Sequence, residues 1–461
     1  MARRLLLVAL VWLSCIWFGS WELNPNNTIR LMSAIALAER GEARVDDLQA
    51  LTIDKAEFDG HFYLDKAPGM TLLAIPAVTL ADRIGPPRPS VVPAEPSDGR
   101  FGPYFLTRLR LSVALVSAVL AALGALALYD LTLRLTASEG AALFASIAFA
   151  LGTPVWGWST TLFGHAPVAS LYVIAVWALW RGGIRYAAIA GVALGLAVLI
   201  EFQAVLAGSV IALWGAYRLR SPRPIAAAAG AGAAMLLIPF IAYNLIAFGT
   251  PFRLGYQGVT GFAGMNQGLF GLTSPSLLVL AQLLVGLRRG LLWVAPVLAL
   301  APIGLWWLAK REHGLAAMLA ATALVVLLVN SSYFYWDGGH STGPRHSVPA
   351  IGLLAIGLGP FWAGLRRRWE RITAVALLVV SVAINLAIAA ANITTPDTYA
   401  LPLWDPILKT DWPNGVLRTL PSQFLGWTAF EGVALYLILA LPLVAMLLAP
   451  ERPRHIPTPV A

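Results

Sequence analysis

Charge is the scarcest resource in this sequence. Asp, Glu, Lys and Arg together make up 12% of 461 residues, where a soluble globular chain carries roughly a quarter, so a soluble protein of this length is excluded. Cysteine is scarcer still. Cys15 stands alone inside an apolar run, which rules out an intramolecular disulfide framework. A lipoprotein anchor at Cys15 is disfavoured, because Trp12-Leu13-Ser14 lacks the preceding Leu expected there. Walker loop, dinucleotide fingerprint, zinc spacing and serine-triad signature are all missing, which argues against a nucleotide-driven pump. No small-x-small cleavage site follows the run from Leu5 to about Trp21 behind Arg3 and Arg4, so an uncleaved first helix is expected.

What the chain has is apolar length. Hydrophobic residues make up 58% of it, with 17 Trp. Apolar runs rich in Leu, Ala, Val and Gly lie near 5–21, 106–133, 140–157, 166–181, 186–200, 203–217, 224–247, 290–309, 314–330, 347–364, 372–393 and 428–449. They fit helices crossing a core roughly 30 Å thick and not the alternating strands of an outer-membrane barrel. The expected fold class is an all-α polytopic membrane protein of roughly twelve transmembrane helices, a single integral membrane domain over 1–461 without a sizeable soluble part.

The basic residues test that count. Arg3 and Arg4, Arg134, Arg181 and Arg185, Arg218, Arg220 and Arg223, Lys310 and Arg311, Arg366 to Arg368 with Arg371, and Arg452 with Arg454 all fall in alternate connections, as Lys and Arg do in cytoplasmic loops. Both termini are therefore expected in the cytoplasm, and the net charge of +9 reads as orientation, with no nucleic-acid partner. Counting Met70–Ile84 as a span would reverse every later loop, so this stretch is expected to be a partly embedded or interfacial segment.

Chemistry is expected in the opposite connections, 22–105, 158–165, 248–289, 331–346 and 394–427. In the first outer loop, 22–105, Ile29, Met32, Ile35 and Ala36 recur at helical spacing, predicting an amphipathic helix on the membrane surface. A Pro-rich linker follows from Pro86 to Pro103. The loop also concentrates carboxylates. Among them Glu22, Asp54 and Asp65 adjoin aromatic or basic residues or a membrane boundary, where desolvation raises a carboxylate toward the working range of a base. Asp65 precedes Lys66, a pair able to handle a proton and hold a phosphate; interfacial snorkelling of the lysine is the alternative. The outer Gly-rich loop 331–346 places Gly338, Gly339 and Gly343 before Arg345 and His346, a fork and a second donor for an anion, or else an ordinary tight turn. His165 and Glu201 lie on the same outer surface, and an ionisable residue so close to apolar spans is a site candidate. Asp337, His340 and His346 are only loosely spaced like metal ligands. No metal ligands are assigned, and a divalent ion is compatible with the acidic loop without being implied.

Three segments, Tyr-x-Asp-Lys-Ala-Pro-Gly at 63–69, Phe-Gly-His-Ala-Pro at 163–167 and Gly-Gly-His-Ser-Thr-Gly-Pro-Arg-His at 338–346, occur in this order behind a first helix and a long outer loop. So arranged, the chain resembles the GT-C superfamily of polytopic glycosyltransferases, in particular the bacterial relatives of protein O-mannosyltransferases and of the lipid A aminoarabinose transferase. The resemblance covers most of the chain. It implies transfer of a sugar from a polyprenyl phosphate to a lipid, glycan or protein acceptor on the outer side of the bacterial cytoplasmic (inner) membrane, with an acid of the first loop as base. Lys66 matches the family lysine that contacts the donor phosphate, Asp65 the acid just before it, and Arg30 an arginine on the first surface helix. Two departures stand out: Asn26-Asn27-Thr28 where an acid is common, and Ala67-Pro68 where paired prolines often follow the lysine. Asn27 cannot accept a proton at neutral pH. The base is then Asp54 or Glu22, or Asp65 in both roles, unless the chain is a catalytically inactive relative. The rival reading is a transporter or flippase for a polyprenyl-linked or anionic lipid, against which the apolar runs are nearly free of charge; a scaffold subunit of an envelope-assembly complex is a third.

Overall fold

The computed structural model describes residues 2–19, 21 and 23–449; Glu22 lies outside the described residues. The main helices, in chain order, are α1 (Ala2–Trp17), α2 (Pro25–Arg40), α3 (Gly69–Ile84) and the long α4 (Gly99–Thr136). They continue as α5 (Glu139–Leu151), α6 (His165–Arg181), α7 (Ile184–Ile200), α8 (Ala204–Leu219) and α9 (Pro222–Phe248). The last five are α10 (Pro296–Ala309), α11 (His313–Ser331), α12 (Val348–Gly364), α13 (Arg368–Ala390) and α14 (Ala429–Leu448). Among the described residues, six helices are long and apolar enough to cross a membrane, namely α4, α9, α11, α13, α14 and the one reaching from Arg345 through α12. Helices α5, α7, α8 and α10 are apolar but shorter.

Polar caps and small residues explain much of this. Pro25 at the first turn of α2, the Asn24 side chain accepting from Asn26 N–H, and Gly41 at φ 67° fix both ends of that helix. α7 and α9 pack backbone to backbone where Gly191 and Gly195 meet Ala228 and Gly232, the close approach that small residues permit between apolar helices. The run at 290–309 is interrupted at Ala295, and the run at 140–157 ends its helix at Gly152-Thr153-Pro154.

Three of the basic connections meet around one carboxylate. Asp130, near the end of α4, accepts from Arg4 of α1 (2.9 Å), Arg134 (2.7 Å) and Arg181 of α6 (3.2 Å). Arg3 pairs with Glu139 and also reaches the Ala449 carbonyl after α14.

The other end is built differently from expectation. α2 does not lie on the surface as an amphipathic helix: every residue from Asn27 to Ala36 is buried. Its polar side chains Asn27, Thr28, Arg30 and Ser33 face protein groups, so the polar stripe is an internal one. Met70–Ile84 is a regular helix, α3, packed on α2 and on the start of α4. Between α2 and α3, β1 (Ala56–Phe58) and β2 (His61–Tyr63) form an antiparallel hairpin with Ala56 opposite Tyr63 and Phe58 opposite His61. Asp59 and Gly60 turn it with φ of 54° and 78°, the positive pair that an Asp-Gly type I′ turn needs. The connection after α9 lies alongside, with Val259 bridged to Ala56.

Candidate functional site

Lys66 lies between two carboxylates of the connection that joins α2 to α3. Its Nζ lies 2.5 Å from Asp65 Oδ2 and 3.2 Å from Asp54 Oδ2. Asp54 is set there by Thr52, whose hydroxyl accepts the Asp54 N–H (3.0 Å) and donates to the Pro25 carbonyl at the start of α2 (3.1 Å). Asp65 is 1% exposed, and its Oδ1 has no partner among the described residues. Burial pushes the Asp65 carboxyl above the usual carboxylate range, against the pull of Lys66. For Lys66 burial works downward, but Asp54 and Asp65 together outweigh it and hold the ammonium above its ordinary value.

Facing this trio is a second set of charges. Arg30 of α2, 1% exposed, donates to Glu201 Oε1 at 3.2 Å. Its Nε and Nη1 have no partner among the described residues. The guanidinium of Arg345 lies 5.3 Å from the Phe163 ring centroid and that of Arg30 lies 6.0 Å from it, so both cations border the same ring. His346 packs edge-on to His165 (4.9 Å between centroids) and to Tyr333 (5.2 Å), and the Nδ1 atoms of both histidines have no partner among the described residues. Burial raises the Glu201 carboxyl, while Arg30, Lys66 and Arg345 all act on it in the opposite sense. Those three cations balance three carboxylates, Asp54, Asp65 and Glu201. The ensemble is neutral overall, yet it offers unspent N–H donors on Arg30.

A narrow cleft of about 30 Å³ leads away from His165, Glu201 and His346 between α6, α8, α11 and α12. Its other walls are mostly apolar: Val168, Tyr172, Ala204, Val326, Val329 and Pro349. Charge is thus confined to one end of an apolar slot. Among the described residues no three His, Cys, Asp or Glu side chains are grouped to hold a metal ion.

The residues singled out from the sequence separate as follows. Asp54, Asp65 and Lys66 come together, and so do Arg30, Glu201, His165, Arg345 and His346. Asn27 is fully buried, its Nδ2 donating to the Trp21 carbonyl (3.0 Å) and its Oδ1 accepting from Leu162 N–H (2.9 Å). It ties α2 to the segment before α6. Three other acids of that loop pair elsewhere: Asp46 with His61, Asp47 with Arg40 and Arg88, and Asp59 with Arg253, all at least partly exposed.

No protein-family model matches the sequence, and no curated protein does either. A solved structure does: ArnT from Cupriavidus metallidurans bound to undecaprenyl phosphate aligns over 96% of this chain and 71% of its own, with a TM-score of 0.56 and 15% identity. The chain has the GT-C fold. An oligosaccharyltransferase from Archaeoglobus fulgidus aligns at a TM-score of 0.44 and 12% identity, covering 86% of this chain and 56% of that one. EmbB from Mycobacterium smegmatis, an arabinosyltransferase, aligns at 0.48 and 14%, covering 98% and 38%. The fold assignment rests on the ArnT alignment alone.

Within this GT-C fold, sequence reasoning passed over several residues. Arg289, 1% exposed, donates to the carbonyls of Asp337, Gly339 and Ser341 at 2.7 Å each. It fastens the Gly-rich loop that presents Arg345. Its signal was Leu-Arg-Arg-Gly at the end of a connection expected to be outer, where paired arginines are unusual. Tyr256 and Tyr333 border the charges, burial raising both phenols, with Glu201 acting on each. Nothing local in the sequence marks either tyrosine.

Proposed function

We propose that this protein is a membrane glycosyltransferase that moves a sugar from a polyprenyl-phosphate donor to an acceptor hydroxyl at the end of the bundle opposite the Arg4–Asp130–Arg181 cluster. The observation that carries this reading is the convergence of Lys66, Arg30 and Arg345 on Glu201, with Nε and Nη1 of Arg30 unpartnered among the described residues, where a lipid phosphate would rest beside a narrow cleft with mostly apolar walls. The undecaprenyl phosphate held by the structurally similar ArnT supports the same donor class. In membrane terms, the twelve apolar runs are read as spans, with both termini and the basic end in the cytoplasm of a bacterial inner membrane. Residues 22–105 and 331–346 then form the outer site.

In this mechanism a carboxylate of the Asp54–Asp65 pair takes the proton of the acceptor hydroxyl. The acceptor oxygen forms its bond to the anomeric carbon as the bond from that carbon to the phosphate oxygen breaks, leaving polyprenyl phosphate. Lys66, Arg345, Arg30 and the N–H of His346 stabilise the charge that grows on the departing phosphate, which is the contribution that lowers such a barrier most. Asp54 is the better placed base, because Asp65 is buried and bound more closely to Lys66. Asn27 is a structural tie and no proton acceptor. Incubating the purified chain with labelled polyprenyl-phosphate sugars tests this: release of the lipid phosphate with transfer of label supports an enzyme, and binding without release supports a carrier. Asp54→Asn and Lys66→Met should each abolish transfer with membrane insertion intact. Full activity in both would refute the site.

A further inference from the structure

Three of the helices around the proposed transfer site, α6, α8 and α11, also frame a cleft at their far ends, together with α7. Where α6 ends, α7 begins, α8 ends and α11 begins, a depression of about 500 Å³ is lined by Arg181, Arg218, Arg220, Trp180, Trp214 and Gly183. Arg218 is held in place: its Nε and Nη2 donate to the Leu179 and Trp180 carbonyls (3.3 Å each), and its guanidinium lies 4.0 Å over the Trp180 ring. Arg181 is anchored to Asp130 at 3.2 Å. Among the described residues Arg218 and Arg220 form no ion pair, and Glu312 is the one carboxylate in the lining. The N-termini of α7 and α11 open at the same place without side-chain caps, adding partial positive charge to that of the arginines.

From this we infer that the cleft binds the headgroup of an anionic phospholipid, at a site separate from the glycosyl-transfer end. The route for the acyl chains is written on α8. Tyr217 in the cleft wall (71% exposed), Leu213 (73%) and Leu206 (46%) share one helix face, four and seven residues apart, and run from the cleft along the outside of the bundle. A soluble anion has no use for that apolar track, and a neutral lipid has none for Arg218 and Arg220, which form no ion pair among the described residues. Trp180 and Trp214 flank the guanidinium at the depth where aromatic rings sit beside headgroups.

The test uses the purified full-length chain in mild detergent, titrated with phosphatidylglycerol, phosphatidylcholine and inorganic phosphate, with bound lipid counted by native mass spectrometry. Phosphatidylglycerol should be retained, with phosphatidylcholine bound far more weakly and millimolar inorganic phosphate unable to displace the lipid. Arg218→Gln/Arg220→Gln should weaken retention about tenfold, roughly the loss of one good charged contact. Arg220→Glu, at an exposed residue with no ion pair among the described residues, should act in the same direction without threatening the fold. Arg366→Gln/Arg367→Gln removes equal charge from the same end of the bundle outside the cleft and should leave retention unchanged. Equal loss in both double variants, equal retention of phosphatidylcholine, or displacement by inorganic phosphate would overturn the proposal. None of these outcomes depends on whether the other end transfers a sugar.

Discussion

Arg30 and Glu201 show how little slack the site has. Each is nearly sealed from solvent, and Arg30 has Glu201 as its one carboxylate partner within 4.0 Å among the described residues. Removing one charge of a buried pair strands the other, so Arg30→Met should lower stability by about 3 kcal/mol or more. Arg30→Met/Glu201→Gln should recover part of that loss, which thermal unfolding in detergent would register. Asn27 supports a second prediction. Asp at this position still accepts from Leu162 N–H but sets an oxygen against the Trp21 carbonyl in a buried place, at a cost of about 1–3 kcal/mol. Asn27→Asp should therefore destabilise without raising transfer; a gain in transfer would show that the residue is a lost base. Asp65 governs the pH response. Burial raises its carboxyl, so its contribution to folding is full below the pKa of the unfolded chain and is lost as pH rises through the folded value. In activity, a transfer step that needs charged Asp65 should have its acid limb above the ordinary carboxylate range of about 4. The profile of kcat/KM against pH should show this, and a limb at or below that range would separate Asp65 from the chemistry.

At the scale of elements, the supports matter as much as the charged groups. A Cβ on Gly164 would strike the Glu201 carboxylate and Ile200, so Gly164→Ala should cut activity by displacing the partner of Arg30 while helix content stays the same by circular dichroism. Arg289→Ala strips three carbonyls of the Gly-rich loop of their donor. Amide exchange across 337–343 should rise in that variant, and Arg345-dependent binding should weaken with it. Legibility also differs by element. The charged motifs were readable because a lysine beside a carboxylate and an Arg-His pair behind glycines are rare in so apolar a chain. The setting of α2 was not, because its apolar spacing is the same whether the polar stripe meets water or a buried ion pair. The hairpin 56–63 escaped notice although Asp59-Gly60 is a turn signal, since its strands are only three residues each. Arg289 escaped because its role lies in three backbone carbonyls almost fifty residues away along the chain, a contact that only the fold creates.

For the whole molecule, the alternation of basic connections led to the expectation of one basic end, and the structure gathers Arg4, Arg134 and Arg181 around Asp130. The apolar runs were located correctly as helix, yet six meet the length and composition of a membrane span. Breaks such as Ala295-Pro296 and Gly152-Thr153-Pro154 shorten helices inside runs that composition alone reads as continuous. The fold of the whole then gathers three cations and three carboxylates, of which Glu201 also lines a narrow, mostly apolar cleft, and this is the claim on which the functional reading stands. It is tested most directly by an experimental structure with polyprenyl phosphate bound. The phosphate should lie within hydrogen-bonding distance of Lys66, Arg345 and the unpaired nitrogens of Arg30, with the first isoprenyl units against Val168, Tyr172 and Val326. A phosphate found away from these cations, with the slot unoccupied, would contradict it.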